Sequence, residues 1–179
     1  MNNLQDGSCW MPVKEIMGDH QVFLGQYLSY LFTNSPRRML YSMSYYKFAA
    51  KMIGSGKRVL DVGCSEGLGT WLLAVECGQA KGIDIDQEAI EVGKKNWKDQ
   101  RISFQYDDFL TIKEDQWDAV VNFDVIEHIL PENAPLFFQK IIDCLVEDGI
   151  AIIGTPNIAS QQYASKVTKS GHVNLYSGD

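Results

Sequence analysis

From residue 57 onward, apolar and polar positions alternate in blocks that predict strands and helices in turn. Short β-branched or apolar runs indicate buried strands, and apolar residues at three- and four-residue spacing indicate helices. The predicted strands are 58–62, 80–85, 102–106, 118–123 and 149–154, and the predicted helices are 68–77, 87–97 and 133–146. This alternation favours right-handed βαβ units. We therefore expect an α/β fold with a doubly wound, mainly parallel sheet.

The first 56 residues show a different pattern. Residues 1–18 carry few structural signals and predict an arm, whereas helical spacing from Leu24 to Leu31 and from Ser35 to Ile53 predicts two helices. Ser35 is the expected N-cap of the second helix, since Pro36 follows it. This aromatic-rich region either packs as core helices or forms a lid in which Tyr41, Tyr45 or Tyr46 reaches a ligand. We accordingly divide the chain into an N-terminal arm and helical lid, 1–56, and a core, 57–179.

Composition narrows the class of protein. The chain has 179 residues, of which 45% are hydrophobic, and a net charge of −7. These values predict one globular domain, and the acidic balance argues against nucleic-acid binding and against a polybasic membrane patch. No apolar run has the length of a membrane span, and the N-terminus lacks the features of a leader. The four cysteines show no C-x-x-C spacing, so we expect free thiols, a reducing cytoplasm and no metal site: Cys9, Cys64, Cys77 and Cys144.

The most specific stretch is the turn between the first predicted strand and helix, which contains Gly63 and Gly67. Glycines allow the backbone to turn sharply and approach a ligand, and the following helix N-terminus presents free N–H groups. A dinucleotide-binding turn would read G-x-G-x-x-G, but from Gly63 the third position is Ser65 and the sixth is Leu68. Asp61, at the strand end, would also repel a pyrophosphate. A ligand with an amine or another cation fits better.

This turn resembles motif I of the class I S-adenosylmethionine (SAM)-dependent methyltransferases, D/E-x-G-x-G-x-G. Asp61, Gly63 and Gly67 match the motif, and Ser65 replaces its middle glycine. The resemblance implies a Rossmann-like fold that binds SAM and releases S-adenosylhomocysteine. Because serine is small, we expect an altered loop and a retained site.

Acids at the ends of later strands support a nucleoside ligand. Asp84, with Ile85 beside it, lies 84 − 61 = 23 residues after Asp61, close to the spacing at which a strand-two acid binds ribose hydroxyls. This feature suits NAD and SAM equally. Asp86 is the expected cap of the next helix. The family resemblance assigns Asp108, with Asp107 as the rival, to the adenine amino group, and places Phe109 next to the ring.

The segment after the fourth strand, 123–129, resembles the "LEH" motif of small-molecule methyltransferases such as the ubiquinone-pathway and sugar-modifying enzymes. The resemblance places Asn122, Phe123 and Asp124 along the methionine part of SAM and turns His128 toward the substrate. Imidazole titrates near neutral pH, so His128 is a candidate base for a hydroxyl or an amine, although it also fits as a turn-filling residue. Glu127 is expected to orient this loop.

The segments 155–157 and 171–177 resemble one subgroup of this family, which makes His172 a substrate candidate together with Tyr41 and Tyr46. The family's sheet usually gains two further strands, and this sequence ends before both, so we expect either a truncated chain or a sheet short by two strands, with an open edge that would favour a homodimer. The expected activity is methyl transfer from SAM to a hydroxyl or amine of a small molecule or sugar. A non-catalytic SAM-binding protein and a nicotinamide-dependent oxidoreductase are the alternatives.

Overall fold

The computed structural model describes residues 10–19 and 21–178, so Cys9 and the beginning of the predicted arm lie outside the described residues. Its centre is a five-stranded sheet in which every strand is parallel to its neighbours, in the order β3-β2-β1-β4-β5. The strands are β1 (Lys57–Val62), β2 (Gly78–Asp84), β3 (Ile102–Tyr106), β4 (Trp117–Phe123) and β5 (Leu145–Gly154). The predicted α/β class and parallel sheet are confirmed.

Helices cover both faces of this sheet, and the first three described helices precede it in the sequence. They are α1 (Met11–Met17), α2 (Gln26–Asn34), α3 (Pro36–Ile53), α4 (Leu68–Cys77), α5 (Gln87–Asn96), α6 (Ala134–Asp143) and α7 (Lys166–Gly171). The structure adds α1 to the predicted arm. In the part of the chain that the structure describes, none of the helices combines the length and apolar character of a membrane span.

Two helix starts were predicted from capping residues, and only one of these residues makes the expected capping hydrogen bonds. The Asp86 side chain accepts hydrogen bonds from the backbone N–H groups of Glu88 and Ala89, as predicted. Ser35 occupies the N-cap position of α3 with Pro36 after it, but its side chain makes no capping bond. Proline and the packing of the apolar face therefore set the start of α3.

The boundary between α6 and β5 was predicted wrongly. The predicted helix ran to residue 146, whereas α6 ends at Asp143 and β5 begins at Leu145, which pairs with Trp117. The β4–β5 register shifts between Trp117 and Ala119, and Asp148 has a positive φ of 64°. An irregular strand start of this kind interrupts the alternation of apolar residues. Leu145 then fits a helical stripe as well as a strand.

The central strands send side chains alternately into two apolar layers. Leu60 and Val62 of β1 pack with α6, where Phe137 and Ile141 are buried. Val59 on the opposite face packs with α3 and α4 in a separate cluster. This alternation also directs Asp61 toward α3 and α4, away from α6, which determines its role in the site.

The N-terminal helices are attached to the core by close backbone contacts. A Cβ placed on Gly69 of α4 would lie 1.9 Å from the Tyr46 ring of α3, so only glycine allows the two helices to approach this closely. Phe23, nearer the N-terminus, is bound to the end of α5. The Asn96 side chain accepts a hydrogen bond from the Phe23 N–H (3.0 Å) and donates one to the Phe23 carbonyl (2.7 Å). Residues that precede the sheet in sequence are thus fixed against α4 and against the last residue of α5.

Candidate functional site

A cavity of about 570 Å³ opens at the carboxyl ends of β1, β2 and β4, beneath α2 and α3. Its volume lies within the range of small-molecule sites. The strand order reverses between β1 and β4, which is where open α/β sheets bind ligands. The predicted site residues that line the cavity are Tyr46, Gly63, Ser65, Gly67, Asp84, Ile85, Asp108, Phe109, Phe123 and His128.

The turn after β1 is shaped by residues in the left-handed region. Gly63 and Gly67 have φ values of 79° and 76°. A Cβ on Gly63 would lie 2.1 Å from the Val125 side chain, and one on Gly67 would lie 2.3 Å from the Phe104 ring. Ser65, which replaces the middle glycine of the motif, also adopts a positive φ of 49°. The serine therefore retains the glycine-like backbone at some conformational cost.

Asp84 lies at the floor of the cavity, at the end of β2. One carboxylate oxygen accepts a hydrogen bond from the Ser65 N–H (2.7 Å), and the other accepts one from the Asp86 N–H (2.9 Å). Each oxygen of an ionised carboxylate has a second lone pair, so both can still accept a bond from a ligand. Ile85, next in the chain, lines the cavity and is largely exposed.

The loop after β3 brings both candidate acids to the cavity. The Asp107 carboxylate is engaged by the Gln105 side chain (3.2 Å) and by the Asp108 N–H (2.9 Å). One oxygen of Asp108 accepts a bond from the Leu110 N–H (2.9 Å), and the neighbouring Phe109 is buried in the core. Asp108 has the freer carboxylate, which favours it over Asp107 as a ligand-binding group.

Asp61 does not line the cavity, because it is fully buried on the face of β1 that meets α3 and α4. It accepts hydrogen bonds from the Thr70 hydroxyl (2.6 Å) and the Tyr46 hydroxyl (3.3 Å). Burial raises the pKa of Asp61 to about 7, although both of these hydrogen bonds act to lower it. Its placement supports a structural role beneath the turn, where it joins α3 and α4 to the sheet.

Three other predicted residues lie outside the cavity lining. Asn122 is buried and donates a hydrogen bond from its side chain to the Val62 carbonyl (2.9 Å), which joins β4 to the end of β1. Tyr41 points into solvent with 59% of its surface exposed, so the structure does not bring it to the pocket. His172 lies behind His128, with the two rings edge to face at a centroid distance of 5.1 Å.

Asp124 and His128 form the far end of the cavity, after β4. Asp124 has a positive φ of 54°, which is uncommon for a residue other than glycine and typical of functional sites. Burial raises the pKa of Asp124, and the positive charges of Arg38, His172 and His128 oppose that rise. His128 contributes its ring to the lining and bonds through Nδ1 to the Gly171 carbonyl (2.8 Å).

Sequence reasoning missed Glu66, which joins the turn to the N-terminal helices. Its carboxylate is 2% exposed and accepts hydrogen bonds from the N–H groups of Tyr27 (2.7 Å) and Leu28 (3.3 Å), at the N-terminus of α2. A Cβ on Gly25 would lie 2.5 Å from this carboxylate. A helix N-terminus attracts a carboxylate, so Glu66 holds α2 over the cavity.

Arg38 was also missed. Of the described residues that line the cavity, only Arg38 carries a permanent positive charge, whereas five lining residues are acids: Glu66, Asp84, Asp107, Asp108 and Asp124. The sequence offered one signal for it, because Arg38 lies one helical turn before Ser42 and two before Tyr46, on the face of α3 that lines the cavity.

Comparisons with known proteins agree with this architecture. A family model described as a methyltransferase domain matches residues 32–179. A ubiquinone biosynthesis O-methyltransferase from Rickettsia felis is 30% identical over 134 residues, which are 73% of this chain and 52% of that protein. A ribosomal protein L11 methyltransferase from Dictyoglomus turgidum is 36% identical over 107 residues, which are 58% of this chain and 34% of that protein.

Among solved structures, the N-methyltransferase NodS from Bradyrhizobium japonicum WM9 superposes with a TM-score of 0.58 at 20% identity, over 74% of this chain and 77% of that one. At this identity the likeness concerns the fold. The chain spans between 33% and 52% of the length of four curated relatives that it matches. The names of these relatives refer to different acceptors, ribosomal protein L11 in one case and a compound of ubiquinone biosynthesis in another.

We expect Asp61→Asn to remove a pH dependence of stability. Burial raises the pKa of Asp61 from 3.8 to about 7, so the folded protein binds this proton more tightly than the unfolded chain does. The free energy of unfolding therefore falls as pH rises from about 4 toward 7 and then levels off. Urea unfolding at about pH 5 and about pH 8 should show the wild type losing on the order of 2 kcal/mol relative to Asp61→Asn.

Asp148→Asn makes the same chemical change at an exposed position of β5 and serves as the matched control. Its stability difference from the wild type should stay constant across the two pH values. A constant difference for Asp61→Asn as well would contradict the burial of this carboxyl group.

Proposed function

Because the chain belongs to the class I SAM-dependent methyltransferase family, we propose that it transfers a methyl group from SAM to a hydroxyl or amine of a small molecule or sugar. The observation that carries this proposal is the Asp84 carboxylate at the floor of the cavity, beside a turn too close-packed for side chains at Gly63 and Gly67. The carboxylate can accept hydrogen bonds from both hydroxyls of a ribose, and the glycine turn allows the backbone to approach the nucleoside closely.

The cofactor's nucleoside fits the end of the cavity formed by β2 and β3. Asp84 retains one lone pair on each oxygen for the two ribose hydroxyls, and Asp108 is available to accept from the adenine amino group. Phe109 and Ile85 supply apolar contact for the ring between these acids. These four residues are the proposed nucleoside-binding set, together with the backbone of the turn at Gly63, Ser65 and Gly67.

The charges of the cavity fit the remainder of SAM. A sulfonium and an amino group are cationic, and acidic side chains dominate the lining. The amino-acid carboxylate needs a partner of the opposite sign, and Arg38 on α3 is the proposed one. SAM supplies an electrophilic methyl group on sulfur, and this chain's residues position the acceptor for an in-line displacement.

The acceptor is proposed to enter at the end formed by Phe123, Asp124 and His128. The Gly171 carbonyl can only accept a hydrogen bond, so the proton of a neutral His128 ring lies on Nδ1 and its Nε2 has a free lone pair. That nitrogen is the proposed acceptor of the proton from a hydroxyl or amine. The residues of α2 and α3 that line the cavity, which include Tyr27 and Tyr46, would limit the access of water and would thus act as the proposed lid.

We expect Asp84→Ala to raise the SAM dissociation constant at least tenfold, which corresponds to about 1.4 kcal/mol, because the ribose loses its acceptor. Isothermal titration calorimetry measures this directly. Asp115→Ala is the control, since that side chain is 86% exposed on a surface loop. An unchanged affinity in Asp84→Ala would remove this residue from the site.

Arg38→Gln should weaken SAM binding about tenfold, because the cofactor carboxylate loses its cationic partner. Arg37→Gln makes the same change on the adjacent, exposed residue of α3 and should bind SAM as the wild type does. Titration of both variants with SAM and with 5′-methylthioadenosine, which lacks the amino-acid carboxylate, separates the effects. Arg38→Gln should leave the second ligand's affinity unaltered, and equal losses for both ligands would contradict the assignment.

His128→Ala should reduce turnover about 100-fold or more while changing SAM affinity less than threefold, because a base acts on the acceptor and not on the cofactor. Release of S-adenosylhomocysteine in the presence of a panel of monosaccharides, phenols and primary amines provides the assay. Full turnover by the variant would exclude His128 as the base. Tight SAM binding with no transfer by the wild type to any acceptor would favour a non-catalytic SAM-binding protein.

A further inference from the structure

Glu127, His128 and His172 form a compact cluster beside the acceptor end of the cavity. Glu127 and His128 lie in the short 3₁₀ helix Ile126–His128, and His172 follows α7. One potential ligand atom of each side chain lies within 4.8 Å of those of the other two. Two imidazoles and one carboxylate are therefore brought together from segments 44 residues apart in sequence, 172 − 128.

Backbone hydrogen bonds fix this juxtaposition. The Glu127 carbonyl accepts bonds from the N–H groups of Val173 (2.8 Å) and Asn174 (3.1 Å), immediately after His172. On the other side, the Gly171 carbonyl binds Nδ1 of His128 (2.8 Å). The cluster is thus held by main-chain contacts on both sides of His172, which is the preorganisation that a ligand set needs.

Two atoms of the cluster are buried without a hydrogen-bond partner among the described residues. Glu127 is fully buried, and its Oε2 accepts a bond from the Thr155 hydroxyl (3.0 Å) while its Oε1 is unpaired. The second unpaired atom is Nδ1 of His172. An unsatisfied buried polar atom costs about 1–3 kcal/mol, so two in one cluster point to a missing partner.

The hydrogen bond of His128 has the form found in metal sites. A metal-binding imidazole usually donates its second N–H to a carbonyl or carboxylate, which fixes the ring and leaves the other nitrogen for the ion. His128 makes this bond to Gly171, and Thr155 orients the Glu127 carboxylate in the same way. Both ligands therefore already have the supporting contacts that a metal site needs.

We propose that Glu127, His128 and His172 bind one divalent transition-metal ion, with Zn²⁺ as the best-matched species. Two imidazoles and one carboxylate form a known catalytic zinc set with an open coordination position, and hard cations such as Mg²⁺ prefer all-oxygen sites. Metal–ligand bonds of about 2.0–2.2 Å require the ligand atoms to approach one another by roughly an ångström, which side-chain rotation supplies.

The position of the ion would affect which class of acceptor the protein methylates. This part of the inference rests on the proposed function. His128 lines the cavity, so the open coordination position faces the place where the acceptor enters. An oxygen donor would occupy it, and coordination makes a hydroxyl easier to ionise. The acceptor class favoured by the metal is therefore a hydroxyl, which gives up its proton to solvent water on coordination, because Nε2 of His128 is then bound to the ion and cannot accept it.

Metal binding can be tested without knowing the acceptor. Protein freed of metal by chelation is titrated with Co²⁺, followed by its visible d–d absorption, and Zn²⁺ is then added in competition. We expect one equivalent of Co²⁺ to bind and Zn²⁺ to displace it. Glu127→Gln and His172→Gln, which keep side-chain size similar, should each weaken Co²⁺ binding at least about 100-fold, and Thr155→Val should weaken it about tenfold.

Glu132→Gln, an exposed acid in the adjacent turn Pro131–Asn133, is the matched control and should bind Co²⁺ as the wild type does. SAM affinity, measured on the same samples, reports that each variant is folded and separates this proposal from the proposed function. Loss of Co²⁺ with retained SAM affinity supports the metal site. Absence of Co²⁺ binding at millimolar concentration, or equal affinity in the wild type and both ligand variants, overturns it.

Discussion

Three carboxylates meet around the turn that follows β1, and each is held by donors from a different part of the chain. Asp61 lies beneath the turn and is bound by Tyr46 and Thr70. Glu66 lies within it and binds the N-terminus of α2. Asp84 lies beside it and accepts the Ser65 N–H. These hydrogen bonds connect the turn to α2, α3 and β2, so the turn sets the positions of the three elements together.

Much of this arrangement was predictable because it follows from local patterns. The alternation of strands and helices predicted the parallel sheet, and the spacing from Asp61 predicted Asp84, which lines the cavity, as a site residue. Asp86 was identified as a helix cap from its position alone. These features depend on residues close in sequence or on a topology that has one common handedness.

Other features depend on contacts that no local pattern records. β1 is central and buried on both faces, so the sequence did not reveal that Asp61 points toward α3 and away from the ligand. Glu66 binds Tyr27, which is 39 residues away in sequence. Arg38 lines the cavity from α3, a helix for which the sequence left both a core-packing and a lid interpretation open. The structure confirms that α3 packs as a core helix on α4, and an adjoining face of α3 lines the cavity, while its action as a lid stays a prediction.

The proposed division of the cavity gives each end one task. Asp84 and Asp108 would hold the nucleoside, and Arg38 would hold the amino-acid carboxylate. The end at Asp124 and His128 would receive the acceptor, with the cluster behind it as a site for a metal ion. Both tasks depend on the proposed position of the cofactor against the glycine turn, between the nucleoside end and the acceptor end of the cavity.

The most direct measurement is a crystal structure of the protein with S-adenosylhomocysteine. We expect the ribose hydroxyls to lie within hydrogen-bonding distance of the Asp84 carboxylate and the sulfur to face Asp124 and His128. Density for the ligand elsewhere, or an Asp84 side chain turned away from the ribose, would contradict it.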